Sequence, residues 1–137
     1  MTKREVRVQL LAELNLPKQG VIWDIGSGVG SIGLEALRIS PNLKLVSIDK
    51  RVGSKNIIEE NARRIGVRPS LIIEGEVLNI FKENKITPSL LHPDRVVIGG
   101  GGSNSHLIVE EVFKLINSAC IIAVSYTHLT LPTKRIV

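Results

Sequence analysis

The residues best suited to chemistry lie in one glycine-rich segment that begins at Asp24 and ends at Gly33. Glycines let a ligand approach the main chain closely, and they leave backbone N–H groups available at the start of a helix. A carboxylate at the end of a strand can receive a ligand ammonium, directly or through water, or it can brace the loop. The segment reads Asp24-Ile25-Gly26-Ser27-Gly28-Val29-Gly30-Ser31-Ile32-Gly33.

Two cofactor motifs fit this segment. Gly28, Gly30 and Gly33 have the spacing of the NAD-binding motif, but glycines are so dense here that this match carries little information. That motif expects apolar residues before its first glycine, whereas Asp24 and Gly26 stand there, and a carboxylate does not favour a pyrophosphate beside it. The alternative, acidic-x-Gly-x-Gly-x-Gly, resembles the first motif of class I S-adenosylmethionine-dependent methyltransferases. It predicts cofactor contacts at Asp24, Gly26, Ser27, Gly28 and Gly30.

Two further acidic positions extend this cofactor site. Asp49 follows a second apolar run, and its carboxylate can accept hydrogen bonds from both hydroxyls of a ribose. This role suits NAD equally well, so Asp49 does not separate the two cofactors. Glu76 follows the third run, at a turn that meets the adenine in class I methyltransferases. There Glu76 would accept from the adenine amino group, and the Val77 N–H would donate to the ring.

Apolar runs alternate with helical patterns along the chain. This alternation predicts an α/β fold with a parallel sheet and helices on both faces, which binds ligands beyond the carboxyl ends of its strands. Residues 82–93 are predicted to form a surface loop. The predicted strands are 21–25, 43–49, 71–74, 94–98 and 119–124, and the predicted helices are 2–14, 32–39, 57–65, 77–81 and 107–116.

Composition is that of an ordinary globular domain, with 43% hydrophobic and 23% charged residues. The net charge of +5 suits a polyanionic partner but selects no function. No apolar run approaches the roughly 18 residues that cross a bilayer, and no signal-peptide core follows the N-terminus, so we expect a cytoplasmic protein without a membrane partner. No residue cluster has metal-ligand spacing. Trp23 and the single cysteine, Cys120, are expected in the core.

The last residues differ in character from the rest. The run Val124-Ser125-Tyr126-Thr127-His128-Leu129-Thr130-Leu131-Pro132-Thr133 resembles an in-frame translation of a transposase sequencing adapter. We therefore expect the native domain to occupy residues 1–123 and residues 124–137 to be a non-native tail. A doubly wound sheet that ends at its fifth strand would be truncated at its C-terminal side.

Three segments together resemble one enzyme family. They are Met1-Thr2-Lys3-Arg4-Glu5-Val6-Arg7, Trp23 to Gly33, and Asp94-Arg95-Val96-Val97-Ile98-Gly99-Gly100-Gly101-Gly102. In this order they are similar to the carbon-15-methylating, decarboxylating precorrin methyltransferases of cobalamin biosynthesis. The resemblance implies a class I methyltransferase fold, S-adenosylmethionine as cofactor and a corrin precursor as substrate. It also implies methyl transfer to carbon 15, with loss of carbon dioxide from the ring C acetate.

The resemblance also implies partners. Relatives occur as homo-oligomers, often tetramers, or as the C-terminal half of a fusion with a carbon-5 methylase, and no nucleic-acid partner is expected. Two departures stand out, because many relatives carry Glu at the position of Asp49 and Asp-Ala at the position of Glu76-Val77.

Substrate contacts are predicted at two places. The basic residues Lys3, Arg4 and Arg7 would pair with substrate carboxylates. The run Gly99-Gly100-Gly101-Gly102 would offer backbone N–H groups beside the reacting face. The catalytic group stays unknown, with His106 as a candidate.

Two alternatives stay open at this point. One is an RNA or protein methyltransferase of the same fold, and the other is a non-catalytic NAD-type binding module.

Overall fold

Five helices alternate with five strands in the computed structural model, which describes residues 3–99, 104–117 and 119–124. The strands are β1 (Gly20–Ile25), β2 (Leu43–Asp49), β3 (Leu71–Glu74), β4 (Arg95–Ile98) and β5 (Ile121–Val124). The helices are α1 (Lys3–Leu14), α2 (Ser31–Ile39), α3 (Ser54–Ile65), α4 (Val77–Lys82) and α5 (Ser105–Phe113). No helix in the described part of the chain is both long enough and apolar enough to cross a membrane.

All strands run parallel in one sheet, in the order β3-β2-β1-β4-β5. Ile25 at the end of β1 lies level with Ile48 of β2 on one side and with Ile98 of β4 on the other. Successive strands are added towards one edge of the sheet from β1 to β3 and towards the other edge from β4 to β5, so the switch point lies between β1 and β4. Such a switch point opens a crevice at the carboxyl ends of the strands. The predicted parallel sheet is confirmed.

Both faces of the sheet are covered, because successive strand residues point to opposite sides. Trp23 and Ile48 face α4 and α5, where they pack with Val77 and Val112. The other face carries Ile22, Leu45, Leu34, Ile58 and Leu10, which pack β1 and β2 against α1, α2 and α3. The predicted helices on both faces are thus confirmed.

The prediction of a surface loop over residues 82–93 is wrong at Ile86 and Leu90. These side chains are buried, and Pro88–Leu90 forms a single 3₁₀ turn. The reason is Trp23, whose indole N–H lies in the core and needs an acceptor. That N–H donates to the Leu90 carbonyl at 2.8 Å, so the segment closes over the tryptophan.

Helix α3 begins at Ser54, three residues before its predicted start at Ile57. Its first backbone N–H groups bond to a side chain from another strand, since the Glu74 carboxylate accepts from Gly53 and Lys55, each at 3.1 Å. The early start therefore depends on a contact between segments that lie far apart in sequence.

The Trp23 bond leads to a stability prediction. Trp23→Phe keeps an aromatic ring but leaves the buried Leu90 carbonyl without its donor, so we expect a loss of about 1–3 kcal/mol in the free energy of unfolding. Urea unfolding measures this loss. Phe81→Leu is the control, because it removes the ring whose centroid lies 5.6 Å from that of Trp23 and leaves the hydrogen bond in place. A Trp23→Phe chain as stable as the wild type would contradict the assignment.

Candidate cofactor site

A cleft of about 410 Å³ lies at the carboxyl ends of β1, β2 and β4. Its size falls in the range of roughly 300–1,000 Å³ that is usual for small-molecule sites. The cleft brings together five of the residues predicted from sequence, which are Gly26, Asp49, Glu76, Val77 and Gly99.

The glycine-rich turn leaves β1 and crosses the end of β2. The Gly26 and Ser27 N–H groups both donate to the Ile48 carbonyl, at 2.7 and 3.2 Å. Gly30 closes the turn, with its N–H on the Ser27 carbonyl at 2.9 Å and a φ of +86°, which L side chains rarely adopt. A Cβ at Gly30 would also come within 3.2 Å of Ile58 on α3. The turn therefore needs glycine here for its conformation and for its packing.

Asp24 lies beneath this turn and is 2% exposed. Its Oδ2 accepts from the Gly33 N–H, in the first turn of α2, at 2.9 Å. A Cβ at Gly33 would lie 2.8 Å from that oxygen, so only glycine allows the carboxylate this close. Of the two roles that the sequence left open for Asp24, the structure shows the brace, and Asp24 is not among the residues that line the cleft.

Burial raises the pKa of Asp24 from 3.8 to about 7. The Gly33 N–H acts in the opposite direction and the nearby charge of Asp49 acts in the same direction as burial, both more weakly than burial itself. The cause is desolvation, which penalises the ionised form. Near neutral pH the carboxyl is therefore present in both protonation states.

Asp49 ends β2 with its carboxylate held in place, and it is 5% exposed. Its Oδ2 accepts from the Gly28 N–H at 2.6 Å, and its Oδ1 accepts from the Arg51 backbone N–H at 2.8 Å. The Arg51 guanidinium adds a longer contact at 3.3 Å, from a side chain that is 66% exposed. A carboxylate has about four acceptor positions. The two backbone donors leave two for a ligand once the exposed guanidinium moves.

The two acidic residues beside the turn after β3, Glu74 and Glu76, have different positions. Gly75 donates its N–H to the Asp49 carbonyl at 2.9 Å, which brings Glu76 and Val77 to the cleft wall. Glu74 instead caps α3 through the Gly53 and Lys55 N–H groups. Only the second acid of this turn is therefore placed to meet a ligand.

The cleft also contains residues that the sequence analysis missed. Asn104, Ser105 and Ile108 reach it from the start of α5, and Lys50 and Arg51 reach it from the segment after β2. A helix that follows β4 must start at the carboxyl edge of the sheet, and this rule could have identified the first three.

The predicted substrate residues do not gather at this cleft. Arg4 and Arg7 line a separate groove between α1 and α2, beside Arg38 and Ile39, and the groove shares no residue with the cleft. The Lys3 side chain and residues 100–102 lie outside the described residues.

Gly99 lines the cleft, but its N–H is already used. It donates to the Ile25 carbonyl at 2.8 Å and continues the pairing of the sheet. Backbone pairing therefore takes this donor, and a role of Gly99 in substrate binding stays a prediction.

The two histidines in the described part of the chain, His92 and His106, lie outside the cleft lining. His106 is exposed on α5, and the Nδ1 atom of His92 lies 2.9 Å from the Leu115 carbonyl. Among the described residues no three His, Cys, Asp or Glu side chains come together as a metal site.

The raised pKa of Asp24 predicts a specific dependence of stability on pH. The folded chain binds this proton more tightly than the unfolded chain, so the stability from protonation is present below about pH 4 and is lost as the pH rises through 7. Asp24→Asn keeps an oxygen acceptor for Gly33 but cannot titrate. Between pH 5 and 8 we expect the wild type to lose on the order of 2–3 kcal/mol of unfolding free energy relative to this variant.

Urea unfolding of both chains at the two pH values measures this difference. Subtraction removes the effect of every group that titrates equally in both chains. Parallel curves for the two chains would contradict the raised pKa.

Comparisons with known proteins agree with this architecture. The precorrin methyltransferase domain model matches residues 1–134. The precorrin-6Y C(5,15)-methyltransferase (decarboxylating) of a Sinorhizobium species is 32% identical over 127 residues, which are 93% of this chain and 29% of that protein. The probable cobalt-precorrin-6B C(15)-methyltransferase (decarboxylating) of Pyrobaculum aerophilum is 33% identical over 124 residues, 89% of this chain and 60% of that protein.

A solved structure gives the same result. The crystal structure of precorrin-6Y C5,15-methyltransferase from Geobacter metallireducens GS-15 superposes with a TM-score of 0.75 at 29% identity, over 89% of this chain and 62% of that one. The chain thus spans less than two thirds of each of these three relatives. The sheet and its covering helices are those of a class I methyltransferase, and the chain belongs to the precorrin methyltransferase family.

Proposed function

We propose that this chain is the S-adenosylmethionine-binding domain of a decarboxylating precorrin methyltransferase. The reaction would methylate carbon 15 of a precorrin or cobalt-precorrin and release carbon dioxide from the ring C acetate. The observation that carries the proposal is the match of the precorrin methyltransferase domain model to residues 1–134, and the Asp49 carboxylate in the cleft, which the Gly28 N–H holds at 2.6 Å, supplies an acceptor for the cofactor ribose. Family membership supports the reaction type and the substrate class.

The described residues fit this cofactor. Asp49 has two acceptor positions for the ribose hydroxyls once the exposed Arg51 guanidinium moves aside. Glu76 and Val77 line the cleft, and in this proposal the Glu76 carboxylate would accept from the adenine amino group and the Val77 N–H would donate to the ring. The glycine-rich turn, with Gly26, Ser27, Gly28 and Gly30, would hold the methionine end, and Asp24 would act by bracing α2 against that turn.

The proposed reaction does not require a reactive side chain. The bound cofactor supplies an electrophilic methyl group, and the nucleophile is a carbon of the conjugated macrocycle, so no side-chain nucleophile is needed. The protein aligns the two reactants and excludes water. Ile25, Ile48 and Ile108 give the cleft an apolar wall that suits this task.

The residues that recognise the substrate are also part of the proposal. A corrin precursor carries several carboxylates, which Lys3, Arg4 and Arg7 would pair with if the macrocycle reaches the groove between α1 and α2. The N–H groups of Gly100, Gly101 and Gly102 are the remaining candidates beside the reacting carbon, together with His106 as a proton carrier.

The wider organisation is also proposed. The chain spans 29% of the Sinorhizobium protein and 60% of the Pyrobaculum protein, so the activity of the whole protein is part of this proposal. A homotetramer of separate subunits and a fusion with a carbon-5 methylase are the two arrangements that we expect, in the cytoplasm.

Cofactor binding can be tested directly by calorimetry with S-adenosylhomocysteine. We expect Asp49→Asn to weaken binding at least tenfold, because an amide has a single acceptor oxygen and loses the charge-assisted bonds to the ribose. Glu83→Gln is the charge-matched control, since Glu83 lies outside the cleft and pairs with Lys85. Equal affinity of wild type and Asp49→Asn would remove the ribose assignment. Binding of NAD in place of S-adenosylhomocysteine would overturn the proposed function.

The reaction itself can be followed with methyl-labelled cofactor and the precorrin substrate. We expect one carbon dioxide released for each methyl group transferred, since both steps act on the same molecule. A chain that binds cofactor and transfers label to RNA or protein instead would favour the alternative substrate class.

A further inference from the structure

We propose that Asn61 is a positioning residue for the cofactor, acting through the glycine-rich turn from a helix that does not line the cleft. Asn61 lies on α3, and its side-chain amide donates to the Val29 carbonyl at 2.9 Å. The inference rests on the proposed function only in naming the cofactor as the ligand of that turn.

The turn needs support from outside because its own sequence restrains it weakly. Gly26, Gly28 and Gly30 all have positive φ, of +73°, +63° and +86°, and glycine has the widest choice of backbone conformations. The base of the turn is tied to the Ile48 carbonyl, and the Gly28 N–H is tied to the Asp49 carboxylate, but neither bond reaches the apex. Val29 lies at the apex and is 49% exposed, so packing does little to hold it.

The Asn61 bond completes the restraint of one peptide unit. The peptide between Val29 and Gly30 is planar, so its carbonyl and its N–H turn together. The Gly30 N–H donates to the Ser27 carbonyl at 2.9 Å, and the Val29 carbonyl accepts from Asn61 at the same distance. Both ends of this peptide are therefore fixed, which restrains the backbone at the apex of the turn.

Helix α3 is a firm base for this contact. Glu74 bonds to the Gly53 and Lys55 N–H groups at its start. Ile58, fully buried and three residues before Asn61, packs against the Gly30 backbone, where a Cβ would come within 3.2 Å. One helical face thus packs against the turn and donates to it.

The contact matters more for ligand affinity than for stability. The bond joins a half-buried side chain to the carbonyl of an exposed residue, and water can replace it in the free chain. A ligand that packs against the backbone of the turn would have to order the turn itself if Asn61 were absent. Loss of Asn61 should therefore weaken binding and leave the fold intact.

The test compares leucine at two positions of α3. Asn61→Leu removes the donor without adding charge, and Asn56→Leu makes the same change at an exposed residue of the same helix. For S-adenosylhomocysteine we expect a dissociation constant three- to tenfold larger for Asn61→Leu than for Asn56→Leu, at similar urea midpoints. Asn61→Gln keeps an amide donor and should recover part of the affinity. Affinities within twofold for the two leucine variants would overturn the proposal.

A second readout does not need the cofactor. Hydrogen exchange of the Gly30 amide in the ligand-free chain should be faster in Asn61→Leu than in Asn56→Leu, because the opposite end of its peptide is released. Unchanged exchange would count against the positioning role. Faster exchange in a chain that binds no S-adenosylhomocysteine would overturn the proposed function and keep the role of Asn61.

Discussion

The hydrogen bond from the Gly28 N–H to the Asp49 carboxylate joins the turn after β1 to the end of β2, and the cleft depends on it. Without it, a glycine-rich turn and a strand-end acid would simply be neighbours along the edge of the sheet. With it, the carboxylate keeps a fixed orientation and the turn keeps a fixed height above the sheet. The bond is possible because Ile25, the last residue of β1, lies level with Ile48, which comes directly before Asp49 at the end of β2.

Four acids lie at or just beyond the carboxyl ends of three neighbouring strands, and the structure gives them different environments. Asp24 is buried and braces α2, Glu74 caps α3, and Asp49 and Glu76 line the cleft. The first two place the helices and the other two are available to a ligand. The charge near the site therefore serves both the scaffold and the proposed binding of cofactor.

Much of the fold was predictable because its signals are local. Apolar runs indicated the five strands, helical patterns of apolar residues between them indicated the helices, and the density of glycines indicated the turn. The surface-loop prediction for residues 82–93 failed at Ile86 and Leu90 because the partner of Trp23 lies 67 residues further along the chain, at Leu90. The start of α3 was misplaced for a similar reason, since Glu74 caps it from another strand.

The sequence by itself determined the class of fold, the position of the turn and the identity of the acids that could serve a cofactor. Only the tertiary structure decided which acids face the cleft, because that depends on strand register and on backbone donors from distant segments. It also placed Arg4 and Arg7 in a groove away from the cleft and brought Asn61 to the turn. Spacing along the chain carries no information about such contacts, since they form only when β1, β2 and α3 pack together.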